Sequence, residues 1–221
     1  MDELTVLDFE TASFEARDGA VEVAFVTIDD HLNVLTERQS LLKPYGQISP
    51  GAAGVHSITM DMVKDKPTFR EYMADLGHPF AGKHVLVIGH NIAFDLRYVE
   101  GEFGAVTEAL CTLRLARRFY PDAENHKLPT LMYMLGLKVK GRHNALDDVY
   151  TCLELVERMM RDTGMTLEDL YHVNATPLPI KKITFGEHKG KDLKDIPAKY
   201  RSWLLKKADI DPDLRHALER L

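Results

Sequence analysis

Apolar runs rich in β-branched residues occupy Leu4–Phe9 and Val21–Ile28, with a polar segment containing Asp18 and Gly19 between them. Such runs read as paired strands. Asp29–Asp30 suits a turn into a third strand near Leu32–Leu42, after which Pro44, Gly46, Pro50 and Gly51 punctuate a loop. Ile58–Val63 and Phe69–Leu76 repeat their apolar positions at helical spacing. Val85–Ile88 is apolar throughout, as a strand buried on both faces would be. A helix from about Ala93 to Glu100, a short strand near Leu110 and a helix near Leu113–Phe119 follow. The clearest helix begins after His143, where Leu146, Val149, Leu153, Val156 and Met160 line one face. Asn144 stands at its N-cap position, with Asp147 three residues on. An antiparallel triplet followed by alternating helices and strands predicts an α/β fold, a mixed sheet packed by helices.

Gly164 and Thr176–Pro179 interrupt this pattern, so residues 1–163 are expected to form the main domain and 164–180 a helix and linker. Residues 181–221 then read as a small α+β module. Ile183–Gly186 and His188–Leu193 suggest a hairpin, Pro197 opens a helix carrying Tyr200, Trp203 and Leu204, and Asp211–Pro212 caps a last helix.

Composition narrows the class. Of the 221 residues 45% are hydrophobic and 28% charged, as in an ordinary globular protein, and no run is long enough to span a bilayer. The N-terminal stretch has neither the basic flank nor the apolar core of a signal peptide. Two cysteines without paired spacing, Cys111 and Cys152, argue against a disulfide framework and fit a reducing cytoplasm. The net charge of −6 is unevenly spread: residues 181–221 hold 11 Lys and Arg against 7 Asp and Glu, and the rest 17 against 27. An acidic body can still bind a polyanion when divalent cations reverse its local field, and a basic tail can add phosphate contacts.

Three short stretches carry candidate chemistry. In Asp8-Phe9-Glu10 two carboxylates one residue apart on a strand project to the same face. Alone, such a pair reads first as a strand end exposing both to water. Gly89-His90-Asn91-Ile92-Ala93-Phe94-Asp95 follows the buried strand, at a sheet end where sites collect, and places Asp95 in the first turn of a helix. There it can also simply complement the helix dipole. In His143-Asn144-Ala145-Leu146-Asp147-Asp148, Asp148 falls about 110° from the centre of the apolar face and Asp147 about 150°. Asp148 is therefore the site candidate and Asp147 belongs to the helix start. Asp8, Glu10, Asp95 and Asp148 together form an all-oxygen set suited to Mg²⁺, with Mn²⁺ as substitute, rather than to zinc. Two such ions about 3.5–4 Å apart can clamp both oxygens of a phosphodiester displacement. The imidazole of His143 titrates in the range needed to take a proton from the attacking water.

This order of motifs resembles the histidine-containing DEDD exonuclease family over roughly Leu4 to Arg161. The resemblance implies a ribonuclease-H-like fold and 3′→5′ cleavage that releases nucleoside 5′-monophosphates. It implies that Asp8, Glu10, Asp95 and Asp148 are ligands of two metal ions, Asp8 bridging them, and that His143 is the general base. Val55-His56-Ser57-Ile58-Thr59 matches a family stretch near the terminal nucleotide, so His56 and Ile58 are expected at its base or sugar. Phe94 and the backbone of Thr11 and Ala12 are further candidates. The segment Thr184–Lys191, the Trp-containing helix and Asp211–Arg215 resemble the tail of a DNA-cutting branch of the family, which makes DNA 3′ ends the preferred partner and leaves RNA open. Cys111-Thr112 departs from the Asp-Thr that relatives often carry, at a position outside the ligand set.

Other residues receive plainer readings. His90 is expected to be structural, Asn91 to support the helix start, and Met132, Met134, Met159 and Met160 to fill the core. Lys181, Lys182, Lys189 and Lys191 are candidate phosphate contacts, against the alternative of a solvated hairpin tip. Two other functions stay open: an accessory subunit that keeps the fold for docking, and a phosphodiesterase for very short oligonucleotides.

Overall fold

The computed structural model describes residues 3–76, 85–104, 108–138, 144–207 and 210–221. In chain order the elements are β1 (Glu3–Thr11), β2 (Ala20–Ile28), β3 (Val34–Leu41), α1 (Pro50–His56), α2 (Met60–Val63), α3 (Phe69–Asp75), β4 (Val85–Gly89) and α4 (Ala93–Phe103). Then come β5 (Glu108–Cys111), α5 (Thr112–Phe119), α6 (Leu128–Leu135), α7 (Ala145–Thr163), α8 (Leu167–Ala175), α9 (Ala198–Leu205) and α10 (Pro212–Glu219). The chain divides into two compact units, residues 1–171 and 172–221.

In the first unit the five strands form one sheet in the order β3-β2-β1-β4-β5. β1, β2 and β3 pair antiparallel, whereas β4 lies parallel to β1 and β5 parallel to β4. This is the mixed sheet predicted from the apolar pattern. The strand alternation gives its two faces different jobs. Leu7, Phe9, Val23 and Phe25 join Phe69 and Met73 of α3 and Tyr98 and Val99 of α4 in one apolar cluster. The residues between them point the other way. Asp8 lies directly opposite Ala24, and Glu10 opposite Glu22, on the face covered by α7. A bulge between Glu10 and Thr11 ends the regular pairing just beyond the carboxylates.

Helix α7 is bounded as its sequence predicts. The Asn144 side chain accepts from the Asp147 N–H, and Gly164 ends the helix in the left-handed conformation at φ 71°. Its buried face differs in detail from the predicted one. Ala145, Val149, Cys152, Val156 and Met159 are buried, while Leu146 and Met160 are only half-buried. Re-centring the stripe on these residues brings Asp148 to roughly 60° from its middle and leaves Asp147 near 160°.

Three expectations need correction. Pro50 and Gly51, read as punctuating a loop, instead open helix α1 (Pro50–His56), because Ser49 caps it by accepting from the Ala52 N–H and Pro50 supplies the first-turn φ. Met134 is 46% exposed, so it does not fill the core as Met132 and Met159 do. The predicted hairpin in the second unit shrinks to one bridge, Lys182 with Asp192, flanked by turns. That unit is organised instead around Ile183, Leu193, Ile196, Leu204, Leu214 and Leu218. Asp211 caps α10 by accepting from the N–H groups of Asp213 and Leu214, and Asp213 in turn accepts from the Leu178 N–H.

Candidate active site and metal centre

Asp8, Glu10 and Asp148 each present a carboxylate oxygen, and these oxygens lie within 4.8 Å of one another. Two sequence segments far apart thus meet where β1 faces the first turn of α7. Ala24, opposite Asp8, is the small residue that leaves space for this meeting. Asp95 stands outside the trio, buried at 4% exposure in the first turn of α4, yet its charge raises the pKa of Asp8. The approach of α4 depends on Gly89. A Cβ there would stand 2.5 Å from Ile92 Cδ1 and 3.1 Å from the Leu7 carbonyl oxygen. Asn91 then takes φ 67° and its carbonyl accepts from the Phe94 N–H, turning the chain into the helix that carries Asp95.

The electrostatics are those of a crowded acidic pocket. Burial first, then the charges of Asp95, Asp148, Glu10 and Glu22, push Asp8 well above the usual carboxylate range. Burial likewise lifts Glu10 to about 7, with Asp148 and Glu22 adding to the effect. Asp95 is raised to about 7 mainly by burial, against backbone hydrogen bonds and Arg97, which pull it down. Anions held together out of water are costly until a cation neutralises them. The donors are all carboxylate oxygens, the chemistry of a hard divalent ion, so the residues fit such a metal.

Glu22 was not singled out from the sequence, although it is the one charged residue in β2. It is 5% exposed, accepts from the Gln39 side chain at 2.8 Å and from the Ala145 N–H at 3.1 Å. That second bond ties the start of α7, and with it Asp148, to the sheet. Phe14 was also missed, a lone aromatic in a polar loop. It is 86% exposed and meets Phe94 edge-on at 6.5 Å, while the Arg97 guanidinium covers the Phe94 ring at 4.4 Å.

His56 is buried, with Nδ1 accepting from the Ile58 N–H at 2.9 Å, so Nε2 carries the proton and donates to the Thr11 carbonyl at 3.2 Å. Burial lowers its pKa, which keeps the ring neutral. Ile58 packs with Ala12, Val21 and Val63. These two residues therefore brace the Thr11–Ala12 backbone from behind. His143 lies outside the described residues. His90 contacts Thr112 Oγ1 at 3.0 Å and donates to the His126 carbonyl at 2.8 Å, and burial drops its pKa to about 4. It fastens the β4–α4 turn to α5, a structural task. Lys181, Lys182, Lys189 and Lys191 belong to the second unit, where all four are exposed.

A mixed sheet in this order, with carboxylates gathered against a helix at its centre, defines the class: a ribonuclease-H-like, metal-dependent nuclease. The comparisons with known proteins narrow it. A family model described as "Exonuclease" matches residues 5–156. Exodeoxyribonuclease 10 of Escherichia coli strain K12 is 31% identical over 225 residues, covering 98% of this chain and 97% of that protein. DNA polymerase III subunit epsilon of Treponema pallidum is 28% identical over 165 residues, covering 71% and 75%. A solved structure of exonuclease X in complex with 5′ overhanging duplex DNA superposes with a TM-score of 0.64 at 29% identity, covering 78% of this chain and 99% of that one. Escherichia coli exonuclease I with a dA16 oligonucleotide shares the fold at a TM-score of 0.62 and 18% identity, over 78% of this chain and 43% of that one. The chain belongs to the exonuclease family, the DEDD-type group its motifs resemble.

Proposed function

We propose that the protein removes nucleotides from the 3′ end of DNA, releasing nucleoside 5′-monophosphates, and that it trims or repairs DNA ends in the cytoplasm. The convergence of Asp8, Glu10 and Asp148 within 4.8 Å carries this reading. Asp8, Glu10, Asp95 and Asp148 would hold two Mg²⁺ ions. Bound there, the pair supplies Lewis-acid stabilisation to the attacking and leaving oxygens of the phosphodiester. Glu22 keeps the first turn of α7 seated so that Asp148 stays in reach of Asp8. His143, just before the α7 cap, accepts the proton of the attacking water. Phe94 and Phe14 offer rings against which the terminal base can lie, and the backbone at Thr11 and Ala12, braced by His56 and Ile58, shapes the floor beneath its sugar.

The test uses strands labelled at the 5′ end, the 3′ end or neither, in DNA and in RNA. With Mg²⁺ a 5′-labelled DNA strand should give a descending ladder, a 3′-labelled one an immediate mononucleotide, and EDTA should stop both. Faster loss of RNA would move the substrate assignment, and release of label from the 5′ end first would overturn the polarity.

A further inference from the structure

Resting on the reading above of a nuclease that acts on DNA strands, we infer that residues 172–221 carry a second nucleic-acid site, an aromatic shelf for the unpaired bases of single-stranded DNA. Tyr200 and Trp203 lie three apart on α9 and therefore share a face, with ring centroids 5.2 Å apart and planes inclined by 36°. The His188 ring meets Tyr200 at 4.5 Å, nearly perpendicular, and so backs the shelf from the turn opposite. Gly186 lets that turn close on α9, since a Cβ there would stand 2.4 Å from the Tyr200 hydroxyl oxygen and its φ is 69°. A lysine sits at each end of the row. The Lys207 ammonium lies 4.5 Å over the Trp203 ring, and that of Lys191 donates to His188 Nδ1 at 3.3 Å.

The indole of Trp203 is 50% exposed although a core of six buried side chains lies beneath the same helix. Its neighbour Leu204 is 1% exposed, so the helix has a well-filled inner face and did not need Trp203 to make one. A large half-exposed ring that stacks on a second ring, between two cations, presents a π-face to a planar partner and positive charge to whatever links those partners together. Successive nucleobases joined by phosphates have this chemistry. Charge selects the same partner: these 50 residues hold 11 Lys and Arg against 7 Asp and Glu, inverting the sign of the rest of the chain. Lys181, Lys182, Lys189 and Lys194 extend the positive field over the same unit. A duplex hides its base faces, so the shelf selects for unpaired strands.

Trp203 is the sole tryptophan of the chain, which makes the site its own reporter. Full-length protein in EDTA, where no strand is cut, is titrated with oligo(dT) while the indole fluorescence is read. Saturable quenching that weakens with added salt is expected, and a blunt duplex of equal length should quench far less. In a parallel titration read by the anisotropy of a labelled oligo(dT), Trp203→Leu should weaken binding roughly tenfold, and Trp203→Phe, which restores a stacking ring, should recover most of it. A circular-dichroism spectrum matching the wild type shows that each variant is folded. No quenching, equal quenching by duplex, or unchanged binding by folded Trp203→Leu would overturn the shelf. Mononucleotide release with Mg²⁺, measured on the same preparation, reports the exonuclease separately. Quenching without release supports the shelf while sinking the exonuclease reading, and release without quenching does the reverse.

Discussion

The two units of this chain carry net charges of opposite sign. Residues 1–171 carry a net charge of −10 and residues 172–221 a net charge of +4. The first concentrates its acids where a sheet and a buried helix hold them rigidly, and its pKa values record how unwelcome they are there. The second spreads lysines over an exposed surface around a small core. Rigidity is what the first arrangement requires, because carboxylates that must share hard cations tolerate little misplacement. Surface lysines need only long stems and a field. The first arrangement suits chemistry that depends on added metal, and the second suits the proposed grip, which needs none.

The largest effect comes from breaking the acidic unit at its centre. Asp8→Ala or Asp148→Ala should lower mononucleotide release by roughly 10³-fold or more, since each removes a member of a set that acts together. Binding of oligo(dT) in EDTA should not fall in either variant, because the removed group is a negative charge. A ladder that survives Asp8→Ala at near wild-type rate would remove that residue from the site.

A second prediction sets the cores against each other. Leu155 of α7 and Leu204 of α9 are both buried, and either change to Ala should cost about 2–5 kcal/mol. The consequence differs with the size of the unit. A unit of 50 residues has little stability in reserve, so Leu204→Ala should unfold residues 172–221 at the growth temperature of a mesophile. Limited proteolysis would then leave a fragment near residue 171 that still releases mononucleotides. Leu155→Ala should instead lower the thermal midpoint of the larger unit while leaving it folded. Equal protease resistance in the two variants would show that the small core is better supported than its six side chains suggest.

How much of this was legible in the sequence follows the same division. The strands themselves, the caps of α7 and the candidate acids are local or period-two signals, and they emerge from the apolar runs, Asp8-Phe9-Glu10, Asn144 and Gly164 directly. Glu22 did not, because its meaning is its partner across the strand pair and its bond to Ala145, 123 positions away. The exact stripe of α7 also escaped. Cys152 counts as apolar only once it is seen packed and Met159, though expected in the core, was not placed on the stripe; replacing Leu146 and Met160 by them turns Asp148 toward the sheet. In the tail, Ile183–Gly186 and His188–Leu193 suggested a hairpin, yet only one bridge forms around the turn at residues 187–190, since isolated short strands gain too little from pairing to persist as a ladder. The shelf was invisible for a similar reason. Trp203 is an ordinary amphipathic-helix residue until Tyr200, His188 and Lys207 are found around it.

A third, smaller effect is the pH response of the metal-free protein. Glu10 and Asp95 have folded pKa values of about 7, above their ordinary 4.5 and 3.8. Between those limits the folded state holds more protons than the unfolded one, so stability must fall as pH rises from about 4 to about 7 and then level off. His90 acts oppositely: its pKa, lowered to about 4, costs stability as pH falls below about 6.5. The difference between wild type and Asp95→Asn isolates the carboxylate part. In EDTA the variant should gain thermal stability relative to wild type as pH rises through this window, and Mg²⁺ at pH 8 should stabilise wild type more than the variant. A variant equally destabilised at pH 5 and pH 8 would mean that burial of Asp95 costs nothing in the absence of metal.

The gentlest test removes the basic unit's contribution to binding. Without divalent ions the acidic unit repels a strand, so the affinity that persists in EDTA should reside mainly in residues 172–221. Deleting residues 181–221, which removes Trp203 and the lysines together, should weaken oligo(dT) binding by roughly a hundredfold in low salt and by less in high salt. Each lost phosphate contact lowers the slope of log affinity against log salt by roughly 0.7 on a single strand, so three or four lysines acting together would flatten it by about 2–3. Repeating the titration with Ca²⁺ in place of EDTA sharpens the contrast. A hard divalent ion that fills the carboxylate site should restore part of the truncated protein's affinity by supplying positive charge where the tail no longer does. If the truncated protein keeps the full slope in EDTA, the salt-sensitive contacts belong to the acidic unit, and the assignment of grip to one unit and chemistry to the other fails.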